Sequence, residues 1–396
     1  MYYLCIFLVL VFGALFEQFR HSPRDNQRLF WLSYLMLMLT AGLRYETGGD
    51  WTSYTEIFDM IEPIDRVMVG NSYYFDVMPL EWGYKYLNSI LKWVCDNVQF
   101  LFFVVALIIS SFVFKGISRY SLAPITSVLI YFGILFFALD MIVLRQGIAV
   151  ALVFWGYRFV EEKKFWHFFA VCIAAMLFHV SAIVGLAVYL MCRKRYSTRL
   201  LTLLAIGFVG VLVLQVRWLG GIATLLLSTQ VDAVVAHKIV AYTTNEGYAV
   251  ARGLSLGLLA NLGVLAAVLW RRKELEKQPY FNLFLNLFVL YLFVYCCMSE
   301  FVEFANRLKY FFMISLVVLI PQVVWSFKNV HNKLITYVAA CGFAFFYCHA
   351  QLLERPIASA FNPYQNYLIY RLFPYESDGR ERLEQSDEAY GNERAQ

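Results

Sequence analysis

Charged residues are scarce in this chain, and their scarcity decides its class. Asp, Glu, Lys and Arg make up only 15% of the 396 residues and 61% are hydrophobic, whereas a soluble domain carries about 25% charged residues. So few charges cannot cover a soluble fold of this length, and so much apolar mass excludes a disordered chain. The apolar runs are long and continuous instead of alternating, which disfavours a β-barrel. The composition therefore predicts an all-α, polytopic integral membrane bundle.

The sequence also lacks the signals of a metal site, of nucleic-acid binding and of a cleaved signal peptide. The eight cysteines follow no metal-ligand spacing, and most of them lie in apolar runs. No Asp-x-Asp pair lies on the face that we assign below as outward, so we expect neither a metal nor another cofactor. The net charge of +5 comes from basic residues scattered over short loops, which excludes nucleic acid as a partner. Residues 1–16 lack the basic start and the cleavage site of a signal peptide, so we expect a retained first span.

Hydropathy divides the chain into a membrane domain, residues 1–372, and a polar acidic tail, residues 373–396. Since one crossing needs ~20 apolar residues, the domain should contain about 12 spans, and the tail should be disordered. Lys and Arg then set the orientation, because cytoplasmic loops are the basic ones. Six short loops hold 18 of the 33 Lys and Arg: 17–28, 115–121, 158–164, 192–199, 271–279 and 327–333. The two long loops, 44–97 and 217–253, therefore face outward.

The segment from Phe165 to Met191 tests this orientation. Its 27 residues could form one tilted helix, but a single crossing would place the basic loop 192–199 outside, against the charge bias. Two short legs that turn near His179 keep both flanking basic loops inside. We therefore expect paired legs, with His179 at or below the outer membrane surface.

The first long outward loop opens with charged and aromatic residues around two glycines. Arg44 and Asp50 flank Gly48, which permits a tight backbone path, and together these residues indicate a functional turn at the exit of the second span. Trp51 and Tyr54 offer rings at the depth of the membrane interface. An aromatic belt explains those two rings equally well.

Three further outward positions carry reactive side chains. Glu81 precedes an amphipathic run, where a solvated carboxylate at a helix start explains it slightly better than function does. Arg145 and Gln146 lie about one turn inside a span, a depth at which an ionisable residue faces a cavity or a partner. An ion pair with Asp140, or snorkelling to the surface, is the alternative. His179 stands alone among apolar neighbours and is as readily a core residue.

Two last sets complete the outward face. Asn306 and Arg307 occupy a turn before a later span, and Tyr364 belongs to an aromatic and amide-rich set that suits sugar contact or an interfacial belt equally well. Arg44, Arg145 and Arg307 thus gather at one mouth, while the span centres are nearly free of charge. A conduction path would need ionisable groups near the midplane. Cations at a mouth instead suit a substrate with an apolar tail and an anionic head, because a guanidinium binds phosphate oxygens bidentately.

In the order and placement of these residues the chain resembles the EpsG family, which is grouped with the Wzy-type polysaccharide polymerases. The resemblance covers most of the membrane region. It rests on Arg44, Gly48-Gly49-Asp50, Tyr54 and Phe58, on Glu81-Trp82-Gly83-Tyr84, on Leu144 to Ala149, on Phe178 to Ala182 and on Asn306 to Phe311. Trp82 and Gly49 depart from the family, in which Pro and Thr are common there, but neither departure removes a charged candidate.

The resemblance implies a glycosyltransferase that polymerises undecaprenyl-diphosphate-linked oligosaccharide repeat units into O-antigen, capsule or exopolysaccharide. Such an enzyme acts at the periplasmic face of the bacterial inner membrane. Its partners are the lipid bilayer and the lipid-linked oligosaccharide, and a chain-length regulator protein is a further candidate.

This reaction breaks the bond between an anomeric carbon and a diphosphate, so cations must stabilise the leaving group and a base must accept the proton of the attacking hydroxyl. Arg145 and Arg307 take the first role, with Arg44 beside them, and Asp50 is the first choice for the second. The predicted catalytic set is Asp50, His179, Glu81, Arg145 and Arg307. The predicted substrate-binding set is Arg44, Tyr45, Trp51, Tyr54, Gln146, Asn306 and Tyr364.

Three alternatives stay open. An O-antigen ligase, or another lipid-linked sugar transferase, would use the same donor on the same face. A flippase or exporter would move the same lipid-linked unit, although the uncharged span centres argue against a transport path. A structural membrane subunit would tolerate the loss of each outward arginine.

Overall fold

The computed structural model describes residues 1–20, 22–191, 194–216, 218, 254–299, 302–354, 358–373 and 375–395. Of the predicted outward loop 217–253, all but Trp218 lies outside these residues. Throughout the described ranges the chain is helical and contains no strand, and one isolated β-bridge joins Arg44 to Asn366. The prediction of an all-α bundle is confirmed.

The helices follow one another in three groups. The first runs α1 Tyr2–Phe19, α2 Pro23–Gly42, α3 Trp51–Met60, α4 Ile64–Met68, α5 Tyr73–Val77, α6 Trp82–Val94, α7 Val98–Tyr120, α8 Pro124–Met141 and α9 Leu144–Glu161. The second runs α10 Phe165–Met176, a 3₁₀ turn Val180–Ile183, α11 Val184–Met191 and α12 Thr198–Val213. The third runs α13 Leu256–Trp270, α14 Arg272–Leu275, α15 Phe281–Cys297, α16 Val302–Met313, α17 Leu316–Trp325, α18 Val330–His349, α19 Ala358–Phe361, α20 Tyr367–Leu372 and α21 Gly379–Ala395.

The apolar helices make this a multi-pass membrane protein. Within the described ranges, five segments are long and apolar enough to cross a bilayer: α1, α7, α8, Phe304–Trp325 and Val330–Leu353. Five shorter apolar helices accompany them: α10, Val180–Met191, α12, α13 and α15. Helix α8 lies at the centre, with 94% of its residues buried, against 39% for α1 and 33% for Val330–Leu353. The two peripheral helices therefore present most of their apolar surface to the surroundings, as lipid-facing helices do.

The segment from Phe165 to Met191 folds as two antiparallel legs. The backbone leaves the helix at Leu177 and re-enters it after His179. The rings of Phe168 and Tyr189 then stack with centroids 6.2 Å apart. This confirms the predicted paired legs and their turn at His179.

Loops assigned to one side of the membrane meet at one end of the bundle. Arg119 pairs with Glu162 at 2.8 Å, and Arg195 pairs with Glu276. Lys333 donates to the backbone carbonyl of Gln18 at 2.7 Å. These contacts join the basic loops, and we call this the basic end. The opposite end, where loop 44–97 meets the turn at His179, is called the mouth end. Which of the two faces outward stays a prediction.

Loop 44–97 is a folded cap instead of a loose connection. It forms α3 to α6, and Glu62 holds its turns together by accepting hydrogen bonds from the backbone N–H groups of Tyr74 and Phe75 at 2.9 and 2.8 Å. Along α6 the rings of Trp82 and Trp93 are exposed. Exposed rings on an amphipathic helix are typical of an element at the membrane interface.

The acidic tail differs from its prediction of disorder. Its residues form α21, and the side chain of Arg382 is 6% exposed. This guanidinium donates to a carboxylate oxygen of Asp378 at 2.8 Å and to the carbonyl of Pro363 at 3.0 Å. Leu383 and Ser386 are buried on the same side of the helix. The charge count missed this helix because its buried side combines an arginine and a serine with one leucine instead of an apolar stripe.

Candidate functional site

An ion pair between Arg145 and Glu81 forms the centre of the mouth end. The guanidinium of Arg145 donates to Oε2 of Glu81 at 2.6 Å, and Oε1 of Glu81 accepts a long hydrogen bond from the backbone N–H of Val180 at 3.4 Å. The two side chains are 29% and 18% exposed. One half-buried pair thus joins the start of α9, the start of α6 and the turn at His179.

Gly83 allows this close approach. Its backbone N–H donates to the carbonyl of Leu177 at 2.8 Å, and a Cβ built on Gly83 would lie 2.7 Å from that oxygen and 2.8 Å from the Cβ of Leu177. Contacts this short do not occur between real atoms of this kind, so a side chain would push α6 away from the turn. The glycine therefore sets the position of Glu81.

Arg145 owes its position to a break between two spans. Helix α8 ends at Met141 and α9 begins at Leu144, whose backbone N–H donates to the hydroxyl of Tyr54 at 3.0 Å. Arg145 therefore stands in the first turn of α9. The sequence placed it one turn deeper. At a helix start the backbone dipole adds positive potential to that of the guanidinium, which favours an anion there.

His179 lies beside this pair as a neutral ring. It is 9% exposed, and Nδ1 accepts from the backbone N–H of Ser181 at 3.3 Å. The hydroxyl of Ser181 is 2.6 Å from the same nitrogen. Burial lowers the pKa of His179 to about 4; Glu81 raises it, and Arg145 and Arg307 lower it. With Nδ1 accepting, the proton of the neutral ring sits on Nε2, so His179 is a hydrogen-bond donor at neutral pH and a weak base.

Arg307 brings a second cation to the same place. It lies on α16 with an exposed side chain, and within the described part of the chain that side chain forms no ion pair or hydrogen bond. The side-chain amide of Gln146 donates to the backbone carbonyl of Arg307 and holds α16 against α9. Asn306 accepts from Lys309 at 2.8 Å. Gln146 and Asn306 thus serve internal contacts in this structure. Glu81, Arg145, His179 and Arg307 are called the open cluster.

Asp50 borders the open cluster. Its side chain is accessible to solvent, yet enough protein surrounds it to raise the pKa of its carboxyl above the ordinary value. Arg44 and Arg145 act in the opposite direction, and Asp387 of α21 raises the pKa further. A carboxylate with a raised pKa near two arginines is suited to accept a proton.

Arg44 is buried elsewhere, among side chains that hold the bundle together. It is 1% exposed, lies over the ring of Phe102 at 4.9 Å, and donates to the backbone carbonyl of Asp140 at 3.3 Å. Burial lowers the pKa of Arg44 to about 10 and nearby Tyr54 raises it, so the side chain stays charged at neutral pH. Asp140 in turn accepts from the hydroxyl of Tyr131 at 2.5 Å. Arg44, Phe102, Tyr131 and Asp140 are called the closed cluster.

The backbone next to Arg44 explains this burial. Gly48 has φ +105°, and its N–H donates to the carbonyl of Ala360 at 2.9 Å. A Cβ there would lie 2.6 Å from the carbonyl oxygen of Met141. Together with the bridge between Arg44 and Asn366, this fixes the loop onto the segment that follows α18. The predicted contact of Arg44 with a substrate is therefore not available in this structure, because its side chain has almost no surface.

The aromatic rings of the predicted substrate-binding set contact other side chains and backbone groups of the protein. Trp51 and Tyr54 are 6% and 5% exposed. Tyr364 stacks on Tyr2 with centroids 4.1 Å apart, and its hydroxyl donates to the carbonyl of Thr40. Tyr45 packs against Tyr370. Trp51 and Tyr54 therefore offer little surface to a sugar, whereas Tyr45 and Tyr364 are half-buried.

Two residues were missed as candidates. Trp82 is 55% exposed at the start of α6, next to Glu81, and Nζ of Lys85 lies 4.8 Å from its ring. Its position next to Glu81, a candidate carboxylate, could have identified Trp82 as a candidate from the sequence. Asp140 was named only as an alternative ion-pair partner of Arg145, although an acid beside an apolar run is itself a sign of a specific partner. Among the described residues, no group of three His, Cys, Asp or Glu side chains could hold a metal ion.

Comparison with known families agrees with this geometry. The model of the EpsG family matches residues 27–366, a range that contains both clusters and excludes α21. Because the match covers most of the chain, the protein belongs to the EpsG family, which is polysaccharide polymerase-like. The resemblance drawn from the sequence is confirmed. No curated protein and no solved structure matches the chain.

Proposed function

We propose that this protein joins undecaprenyl-diphosphate-linked oligosaccharide repeat units into O-antigen, capsule or exopolysaccharide at the periplasmic face of the inner membrane. The observation that carries the proposal is the open cluster. Arg145 and Arg307 come from helices α9 and α16 and lie on the same accessible end of an apolar bundle, around the turn at His179. Two accessible cations beside a membrane suit a lipid-linked diphosphate.

The arginines would act on the leaving group. In the transfer, the bond between the anomeric carbon and a diphosphate oxygen breaks, and that oxygen keeps the electron pair. Arg307, whose side chain forms no ion pair in the described part of the chain, is free to take the developing charge, which a preorganised cation stabilises. Arg145 shares its charge with Glu81, so Glu81 positions Arg145 more than it reacts.

Asp50 would act as the base. The attacking sugar hydroxyl forms the new bond to the anomeric carbon, and its proton passes to the carboxylate of Asp50. Burial raises the pKa of Asp50, which brings its basicity closer to neutral pH and improves proton transfer. His179, neutral with its proton on Nε2, would donate a hydrogen bond to a phosphate or sugar oxygen.

The test is the polymer ladder of a strain that lacks this protein. The strain is complemented with the wild type, with Arg145→Ala or Arg307→Ala, or with Arg119→Ala, a matched variant whose exposed pair with Glu162 lies at the basic end. We expect long polymer from the wild type and Arg119→Ala, and single repeat units on the carrier from the other two.

Three outcomes would overturn the proposal. Intact polymer from both Arg145→Ala and Arg307→Ala would remove the open cluster from the chemistry. Long lipid-linked polymer that is not passed to its acceptor would indicate a ligase. Repeat units trapped on the cytoplasmic leaflet would indicate a flippase.

A further inference from the structure

An apolar groove of about 480 Å³ lies between four helices of the bundle. Helices α11, α12, α15 and α16 each contribute side chains at helical spacing, so the groove follows the helix axes instead of crossing them. Two of these stripes are Val184, Ala187 and Met191 on α11, and Leu201, Leu204 and Phe208 on α12.

The groove reaches from the mouth end toward the basic end. On α15 it is bounded by Met298 at the mouth end and by Asn286 near the basic end. Twelve residues of α-helix rise about 18 Å, at 1.5 Å per residue. The groove therefore covers more than half of a hydrocarbon core that is about 30 Å thick.

Two walls of the groove are continuous with the open cluster. On α16, Arg307 is followed directly by Leu308, which lines the groove, and Phe312 lines it one turn deeper. On the opposite wall, α11 begins a few residues after His179. Arg307, the accessible cation, is therefore adjacent in sequence to Leu308, which lines the groove at its mouth end.

We infer that this groove binds the polyprenyl tail of the lipid-linked substrate while Arg307 and Arg145 bind its diphosphate; the inference rests on the function proposed above. The rim is open to the bilayer, since Met191 and Leu204 are 47% and 36% exposed, so the tail enters sideways. Lipid tails are as apolar as the groove, and burial alone would not select this occupant. Selection comes from the anionic head at the arginines, and the groove holds the part of the tail that lies next to this head.

A second apolar groove provides an internal comparison. It measures about 410 Å³ and lies between α13, α17 and α18, with Gly263 and Phe343 in its lining. Its helices carry none of the four residues of the open cluster. If apolar lining alone recruited the carrier, both grooves would take it; if the head group selects, the groove below Arg307 takes it alone.

Photo-cross-linking of the full-length protein in phosphatidylglycerol vesicles tests this inference. The photoreactive amino acid p-benzoylphenylalanine replaces Leu204 in the first groove, Gly263 in the second, or Leu203, which neighbours Leu204 and is 66% exposed outside both grooves. The probe is radiolabelled undecaprenyl diphosphate without sugar. We expect labelling at position 204 to exceed that at 203 and 263 by about tenfold, a difference that corresponds to ~1.4 kcal/mol.

Two additions separate the carrier from ordinary lipid. Unlabelled undecaprenyl diphosphate should abolish the labelling at position 204, and added phosphatidylglycerol should not. Arg307→Ala should lower it severalfold, because the head group loses its cation. Equal labelling at all three positions, or equal competition by phosphatidylglycerol, would overturn the inference.

The probe carries no sugar, so this result is independent of polymerisation. Selective labelling in a protein that proves to make no polymer would keep the groove and reject the proposed function. A working polymerase without selective labelling would keep the proposed function and reject the groove. A matched pair of tryptophan variants extends the test: Leu204→Trp should raise the donor concentration needed for polymerisation, and Leu203→Trp should not. Equal effects of the two would contradict a tail in the groove.

Discussion

The closed and open clusters are built from similar residues and differ in their surroundings. Each has an arginine near an acidic residue, close to the end of a membrane helix. In the closed cluster Arg44 is 1% exposed, and it donates to a backbone carbonyl. In the open cluster Arg145 is 29% exposed and pairs with the side chain of Glu81. Burial, more than residue type, therefore separates the arginine that supports the bundle from those that can meet a substrate.

The largest effect should come from the base beside the open cluster. Asp50→Asn removes the proton acceptor, and loss of such a group costs about 10²- to 10⁴-fold in rate. In the wild type the rate should rise with pH as Asp50 loses its proton, with a midpoint above the ordinary value of 3.8 because its pKa is raised. His179, with a pKa of about 4, stays neutral above that pH.

The measurement is the pH profile of polymer formation by purified protein. Asp50→Asn should be slow and should lose the acid limb, whereas His179→Gln should be slower than the wild type and keep it. An unchanged acid limb in Asp50→Asn would show that another group is the base.

Next comes the stability of the closed cluster. Arg44→Ala leaves a cavity against Phe102 and removes the donor to the backbone carbonyl of Asp140, and truncating a large buried side chain costs about 2–5 kcal/mol. The yield of folded protein and its melting temperature in detergent should both fall. Arg28→Ala is the matched control, because Arg28 lies on α2, the helix that leads to Arg44, with a side chain that is 78% exposed. Equal melting of the two variants would contradict the assignment of Arg44 to the framework.

Substitution of Gly83 should have an intermediate effect on activity and stability, because Gly83 determines both the packing of α6 and the position of Glu81. Gly83→Ala forces a Cβ against the backbone of Leu177, at a cost of about 1–3 kcal/mol. The shift separates Glu81 from Val180, so activity should fall further than stability does. Gly207→Ala is the control, since a Cβ there meets nothing within 4 Å and alanine favours the helix. The account would fail here if both variants lost activity alike.

Much of the fold follows from the sequence, and the pairing within the site does not. Apolar runs locate the spans, and the distribution of Lys and Arg predicts the two legs around His179. Glu81 and Arg145 were each named as candidates, yet they are 64 residues apart, and nothing local indicates their pairing. The inward turn of Arg44 depends on a bridge to Asn366, a contact that no periodicity reveals. Rings such as Trp51 have the same composition signal whether they face a sugar or a neighbouring helix.

The smallest effect should come from α21, which lies outside the range that matches the family. Arg382→Ala removes hydrogen bonds to Pro363 and Asp378 and should release the helix without disturbing either cluster. We expect faster proteolysis after residue 375 and a change in polymerisation of less than about twofold, because Arg382 bonds to no residue of either cluster and sites without shared partners act independently. A large loss of polymer would mean that α21 takes part in the site.

One measurement tests most directly whether the open cluster carries the chemistry and the closed cluster supports the fold. It compares the rate of polymer formation per folded molecule for purified Arg307→Ala and Arg44→Ala. We predict that Arg307→Ala loses about 10²- to 10³-fold, as expected when a group that stabilises developing charge is removed, and melts like the wild type. Arg44→Ala should give little folded protein, but each folded molecule should work at close to the normal rate. The reverse result, with Arg307→Ala active and folded Arg44→Ala inactive, would contradict the account and place the chemistry at the closed cluster.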